Sequence, residues 1–154
     1  MLDLSDNSIG DKGFKKMISG LNLYSNLLCL NLENNDLTDK SLDPIKLLMR
    51  YGSPVQSLNL GRNALGNYFI EEISNMIMKP DCNLRKLCLK QTGMTASGAD
   101  TVISSLISNK HIRSVNLSDN DFFSKTRFSI HDDRYLSLLL QSNDSLQVLN
   151  LSNC

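Results

Sequence analysis

The sequence predicts an α/β solenoid, a right-handed superhelix of strand–turn–helix units bent into a horseshoe arc, with a concave parallel sheet and convex helices. Two observations predict it. A six-residue pattern, Leu-x-Leu-x-x-Asn, recurs along the whole 154-residue chain at a nearly fixed step. After each copy the apolar period changes from two, which marks a strand buried on one face, to the longer period of a helix buried along one stripe.

The copies are Leu2-Asp3-Leu4-Ser5-Asp6-Asn7, Leu30-Asn31-Leu32-Glu33-Asn34-Asn35 and Leu58-Asn59-Leu60-Gly61-Arg62-Asn63, then Leu87-Cys88-Leu89-Lys90-Gln91-Thr92, Val115-Asn116-Leu117-Ser118-Asp119-Asn120 and Leu149-Asn150-Leu151-Ser152-Asn153-Cys154. Their second apolar residues sit at 4, 32, 60, 89, 117 and 151, so the steps are 28, 28, 29, 28 and 34. Leu27, Val55, Leu84, Ile112 and Leu146 recur just ahead of the strands, and Ile9, Leu37, Leu65, Met94 and Phe122 just after the Asn position. Phe14, Met17, Ile18 and Leu21 fall on one helical face, as do Ile70, Ile73 and Ile77, then Ala99, Val102, Ile103 and Leu106. A last helix is expected to hold Tyr135, Leu136, Leu139 and Leu140. Thr95 is expected to cap a helix starting at Ala96, and Asp43 one starting at Pro44. Neither strand nor helix buries its apolar face alone, so the units must stack. Strands stack at ~4.8 Å and helices at ~8–10 Å, and the difference bends the stack with its sheet inside.

These residues resemble the leucine-rich repeat proteins of the ribonuclease-inhibitor type, whose pattern Leu-x-x-Leu-x-Leu-x-x-Asn-x-Leu matches essentially the whole chain. The resemblance implies the fold and a surface for binding other proteins. Similar repeats occur in Ran GTPase-activating protein, in the sensor ends of NOD-like receptors and in actin regulators such as tropomodulin, so it leaves the task open.

The recurring Asn looks like a site, but its place in the repeat is structural. Asn7, Asn35, Asn63 and Asn120 fall where the strand turns away and leaves backbone groups to be buried, and an inward amide satisfies them and bridges repeats. Thr92 and Cys154 take the same position. Asn116-Leu117-Ser118, Asn143-Asp144-Ser145 and Asn150-Leu151-Ser152 fit the glycosylation sequon, yet two of them are the repeat itself. Gly61 and Gly66 have phosphate-loop spacing without the Lys and Ser/Thr that follow in one. His111 and His131 stand apart with no nucleophile set beside them, and read as solvated or capping residues. Asp132 and Asp133 suit the dipole of a helix start. No catalytic residue, cofactor or metal ligand set is expected.

Composition narrows the remaining classes. Hydrophobic residues make up 41% and charged residues 21%, a globular balance, and no apolar run is long enough to span a bilayer. Sixteen Lys+Arg against 16 Asp+Glu give no net field toward nucleic acid or an anionic membrane. Cys29, Cys82, Cys88 and Cys154 form no C-x-x-C pair and read as free thiols in a reducing compartment. With no signal-like start at Met1, a cytoplasmic location is expected.

Function is therefore expected on the surface that the fold presents. Outward positions on the sheet form rows: Asp3, Asn31, Asn59, Cys88, Asn116 and Asn150; Ser5, Glu33, Gly61, Lys90, Ser118 and Ser152; Asp6, Asn34, Arg62, Gln91, Asp119 and Asn153. Acids (Asp3, Asp6, Glu33) gather at the first two repeats, and bases (Arg62, Arg85, Lys86, Lys90, Arg113) at the third to fifth. The bases are expected to form one patch ~10 Å wide across adjacent strands, fit for an acidic segment of a protein partner. Without interleaved aromatics it suits nucleic acid poorly. The long 34-residue step inserts a loop around Phe123 and Phe128, expected on one rim, where either ring could anchor a partner.

The expected function is a non-enzymatic protein-interaction module. The alternatives are a regulator of a small GTPase, as the resemblance to Ran GTPase-activating protein allows, and a sensor fragment of a NOD-like receptor. Residues 1–154 read as one domain of about five repeats and the start of a sixth, taken from a longer array. Leu2 and Leu4 at one end and Leu149 and Leu151 at the other lack capping units, so self-association there is the other expectation.

Overall fold

The computed structural model describes residues 1–20, 26–50, 52–122 and 133–154. Six strands lie side by side in chain order in one parallel sheet: β1 (Leu2–Asp3), β2 (Cys29–Asn31), β3 (Ser57–Asn59), β4 (Lys86–Cys88), β5 (Ser114–Asn116) and β6 (Val148–Asn150). The register is that of the repeat. Leu2 pairs with Leu30, Leu30 with Leu58, Leu58 with Leu87, Leu87 with Val115 and Val115 with Leu149. The 34-residue step thus returns to the same register as the shorter ones, with its additional residues between β5 and the last helix.

Helices α1 (Gly10–Gly20), α2 (Leu42–Leu48), α3 (Gly66–Ile77), α4 (Ala96–Ile107) and α5 (Asp133–Ser142) follow the first five strands, each packed on the next. Alternation along the strands sends Leu30, Leu58, Leu87 and Val115 inward, followed two residues on by Leu32, Leu60, Leu89 and Leu117, which are all 0% exposed. Leu37, Leu65, Met94 and Phe122 close the turns over this row, and Phe14, Ile18, Ile70, Ile73, Ile77, Val102 and Leu106 cover it from the helices. One continuous apolar core results, mainly aliphatic with Phe14, Phe69 and Phe122 in it, and Leu4 and Leu151 of the outer repeats are only half-buried.

The last helix holds the four expected residues but turns only some of them inward. In α5 Leu139 is buried and Leu136 half-buried, whereas Tyr135 is 42% and Leu140 71% exposed. The stripe turned inward runs through Leu136, Leu139 and Asn143 at helical spacing, and Leu140 lies about a hundred degrees round the helix from it. Leu21, the last residue of the expected α1 face, lies outside the described residues, as do His131 and Asp132.

Both expected caps are corrected. Helix α4 does begin at Ala96, but the Thr95 hydroxyl makes no capping bond. It accepts instead from the Asn67 amide at 2.8 Å, while Asn67 Oδ1 accepts the Thr95 N–H at 3.0 Å. Helix α2 begins at Leu42, so Asp43 lies inside its first turn and Pro44 costs no intrahelical hydrogen bond there. A single 3-10 turn, Asp39–Ser41, precedes it, with Thr38 as its cap.

The reason for that start is Asp11, one repeat earlier. Its carboxylate accepts the Thr38 N–H at 2.9 Å, the Thr38 hydroxyl at 2.7 Å and the Ser41 hydroxyl. Burial pushes the Asp11 carboxyl up, but the bonds from Ser41 and Thr38 outweigh it and hold the group below its ordinary 3.8. A depressed folded-state value means that Asp11 stabilises the fold above the unfolded value and loses that contribution as pH falls through the lower one. Asp11→Asn should therefore lower stability at pH 7 and flatten the acid limb of a urea-midpoint curve measured from pH 6 to pH 2. An acid limb as steep as that of the wild type would contradict the role.

Candidate protein-binding surface

Most polar residues on the sheet face are occupied by the fold itself. In the row Asp3, Asn31, Asn59, Asn116 and Asn150, each side chain takes the backbone N–H two residues on, at 3.0–3.1 Å. These are Asx turns, which bend the chain out of the strand. Cys88 is the exception in the row, and burial pushes its thiol up.

The next row is uniform in backbone. Asp6, Asn34, Arg62, Gln91, Asp119 and Asn153 all have φ between 50° and 60°. Asp and Asn tolerate this left-handed region better than other side-chain-bearing residues. Asn34 donates to Asp6 at 2.7 Å and Asn153 to Asp119 at 2.8 Å.

Inside the turn stands the Asn ladder, at three of its four expected positions. Asn63 donates to the carbonyls of Leu32 (2.9 Å), Leu60 (2.9 Å) and Gly61 (3.0 Å), and its Oδ1 accepts the N–H groups of Asn35 and Leu37 at 3.0 Å. Asn35 reaches back to the Leu4 carbonyl and Asn120 to that of Leu89. Asn7 is exposed and donates only within its own turn, to Leu4 and Ser5. Thr92 does not reach back to the third repeat: its hydroxyl donates to Leu89 at 3.0 Å and lies 3.3 Å from Asn120 Oδ1, to which its N–H donates at 2.8 Å, while the Cys154 thiol points to the Leu117 carbonyl.

A second amide series is not visible in the strand pattern. Asn109 donates to the Ile77 carbonyl at the end of α3, and Asn143 to that of Leu106 in the last turn of α4. Their Oδ1 atoms accept N–H groups of His111 and Ile112, and of Ser145 and Leu146. Asn109 and Asn143 thus each cap the helix of the repeat before, satisfying carbonyls that a helix end leaves over. The available signal is an Asn three residues ahead of Ile112 and Leu146.

The five cations do not behave as one patch. Arg62 and Lys90 stand where β3 and β4 end, whereas Arg85, Lys86 and Arg113 stand where β4 and β5 begin. From Lys86 to Lys90 the chain runs four residues, ~13 Å at strand rise, so the set spans the sheet's width rather than a single ~10 Å patch. Arg85 donates to the Leu84 carbonyl at 3.1 Å and Arg113 to that of Ser145 at 2.9 Å, both half-buried. Lys90 pairs with Asp119 at 3.1 Å. The hydrogen bonds from Asn153 and Lys90, with the charges of Lys90 and Arg62, hold the Asp119 carboxyl below its usual range. Arg62 and Lys86 are exposed and have no ion pair among the described residues.

Acids at the other end are engaged too. Asp3 is tied to Ser5, Asp6 to Asn34, and Glu33 accepts the Asn59 amide at 3.0 Å. A shallow hollow of about 370 Å³ opens beside Arg62, lined by Asn34, Arg62, Asn63, Ala64, Gln91 and Gly93. Phe123 and Phe128 lie outside the described residues. Among those residues no cluster of His, Cys, Asp or Glu is placed to hold a metal, all four cysteines are unpaired, and no helix is long and apolar enough to cross a membrane. Chemically the face offers guanidinium, ammonium and amide donors to acceptors on another molecule.

A parallel sheet backed by helices, with a buried Asn closing the turn at Asn35, Asn63 and Asn120, is the architecture of a leucine-rich repeat array. The family described as "Leucine Rich repeat" matches residues 2–17, 25–46 and 108–124. Over 99% of its length the chain is 32% identical to "NACHT, LRR and PYD domains-containing protein 3" of Bos taurus, and it spans 14% of that protein. It is 29% identical to ribonuclease inhibitor of Sus scrofa over 77% of the chain and 26% of the inhibitor. The solved structure of the leiomodin-1 actin-binding site 2 superposes with a TM-score of 0.71 at 15% identity, covering 90% of this chain and 78% of that one. The chain is a leucine-rich repeat protein of the ribonuclease-inhibitor-like type.

Proposed function

We propose that the chain is a non-enzymatic protein-interaction module, docking an acidic segment of a protein partner across the sheet face of repeats three to five. The observation that carries this reading is electrostatic. On that face Arg62 and Lys86 are exposed without ion pairs among the described residues, while Asp119, whose carboxyl feels the Arg62 charge, is already held by Lys90 and Asn153. Arg85 and Arg113, anchored on backbone carbonyls, add fixed positive charge along the strand-start edge. Screening at physiological salt leaves charges within ~8 Å to act, so a local excess attracts an acidic segment although the chain is neutral overall.

The match to the NACHT-, LRR- and PYD-domain protein across 99% of the chain favours one setting. In that setting residues 1–154 are a stretch of the repeat array of a NOD-like receptor, whose sensor end they would help to form.

The test is capture from lysate on the immobilised chain, read by mass spectrometry, at low and high ionic strength. Arg62→Glu with Lys86→Glu should weaken capture of the recovered partner at least ~10-fold, because charge-assisted hydrogen bonds are worth ~1.5–3 kcal/mol each. The urea midpoint should move far less than the binding does, since neither side chain makes an ion pair among the described residues. Capture that is indifferent both to salt and to this reversal, but lost in Phe128→Ala, would move the site to the rim loop.

A further inference from the structure

The six repeats serve as controls for one another, and the fourth carries more departures in its turn than any other, sharing one with the third repeat and one with the sixth. Where the others carry Asn or Asp and close an Asx turn, it has Cys88. It places Lys90 in the row that elsewhere holds Ser, Glu or Gly. At the left-handed position, φ 50°, it has Gln91, and the third repeat has Arg62 at φ 55°, where the other four repeats have Asp or Asn. On the ladder it has Thr92, whose hydroxyl reaches Leu89 of its own repeat but no carbonyl of the third. The Leu65 N–H is taken instead by the Thr92 backbone carbonyl, at 3.1 Å.

Each departure gives up something the fold uses elsewhere. Left-handed backbone is unfavourable for an ordinary side chain. The ladder amide that ties one repeat to its predecessor is missing between the third and fourth repeats, and between the fifth and sixth, where the Cys154 thiol still points to the Leu117 carbonyl; only at Thr92 does the side chain reach no carbonyl of the repeat before. Yet the side chains installed there converge. Arg62 and Gln91 both line the shallow hollow, neither makes a side-chain hydrogen bond among the described residues, and Lys90 stands beside them on Asp119. On either side the row is closed by its own pairs, Asp6 with Asn34 and Asp119 with Asn153. Local self-satisfaction has been exchanged for unsatisfied donors at one place.

We infer that the strand-end rim of repeats three and four is a carboxylate-recognition point, at which Arg62, Lys90 and Gln91 seat a Glu or Asp side chain of the partner. The guanidinium supplies a fork for both oxygens. Gln91 supplies a neutral amide donor, and Lys90 supplies charge from the pair with Asp119. The inference rests on the acidic-segment reading and narrows it from a broad face to one rim.

Restoring the repeat's own pattern tests it, with fluorescein-labelled octaglutamate as the probe and octaglutamine as its control, read by anisotropy at low salt. Arg62→Asn, Gln91→Asn and Thr92→Asn should each leave the fold intact, and the triple variant should melt about 2–4 °C higher for each kcal/mol regained. The same triple variant should bind octaglutamate at least ~10-fold more weakly, the equivalent of ~1.4 kcal/mol, and Gln91→Asn alone should weaken it measurably. Stability and binding moving in opposite directions is the signature, because a purely structural rim would leave binding unmoved. If octaglutamate binds the wild type, is lost in Lys86→Glu and is unaffected by the triple variant, the rim inference fails while the acidic-segment reading stands. If the wild type binds octaglutamate no better than octaglutamine, both fail.

Discussion

Leu60→Ala is expected to destabilise the protein by ~2–5 kcal/mol, the range for a buried leucine whose surroundings cannot collapse. Leu60 is 0% exposed and sits between Leu32 and Leu89, also fully buried, in the middle of the stack. The chain on both sides is held by backbone bonds that repeat at 2.8–2.9 Å: Leu32 N–H to Asn59, Leu60 N–H to Cys88 and Leu89 N–H to Asn116. Those bonds fix the spacing of neighbouring repeats, so the cavity stays open rather than closing. In a solenoid each unit touches only its neighbours, and a lesion at the centre uncouples the two halves. The measurement is a urea melt, with hydrogen exchange following the Leu60 and Leu89 amides. Leu4→Ala is the control, since Leu4 is half-buried at the outer strand and should cost less. Equal midpoints for wild type and Leu60→Ala would overturn the inward row.

That row was legible because period-two alternation and a constant step are one-dimensional signals, and the pairing of Leu58 with Leu87 follows directly from laying repeats over each other. What the sequence hid lies between repeats. Capping rules look for a partner two or three residues away, but Thr95 is taken by Asn67, 28 positions earlier, and Thr38 and Ser41 by Asp11. The same blindness affected the basic cluster. Counting charges placed five cations together, whereas Lys90 has Asp119 across the next strand, and Arg85 and Arg113 are spent on carbonyls, which have no signature in a string of side chains. The Asn ladder was half legible. Its positions recur at a fixed step, but whether an amide bridges depends on a preceding described repeat, which Asn35, Asn63 and Asn120 have and Asn7 does not.

Asn63→Ala follows from that last distinction and should cost ~1–3 kcal/mol, the penalty for a buried polar group left without a partner. The side chain is 3% exposed and satisfies five backbone groups, the carbonyls of Leu32, Leu60 and Gly61 and the N–H groups of Asn35 and Leu37. The full sum of five penalties is not expected, because the space vacated by a carboxamide admits a water that restores some of the bonds. Asn7→Ala, with an exposed amide bonded only in its own turn, should cost less. Asn63→Asp separates hydrogen bonding from packing, since it keeps the shape and loses both N–H donors. The Asn35 and Leu37 N–H groups would still favour a carboxylate, but burial and three carbonyl oxygens facing it are expected to outweigh them, so its folded-state value should rise above the unfolded one. The sign follows: Asn63→Asp should be most damaging at neutral pH and recover toward the wild type as pH falls through that raised value, read in urea melts at pH 7 and pH 4. A pH-independent loss equal to that of Asn63→Ala would mean that the amide fills space and its donors do not hold the repeats together.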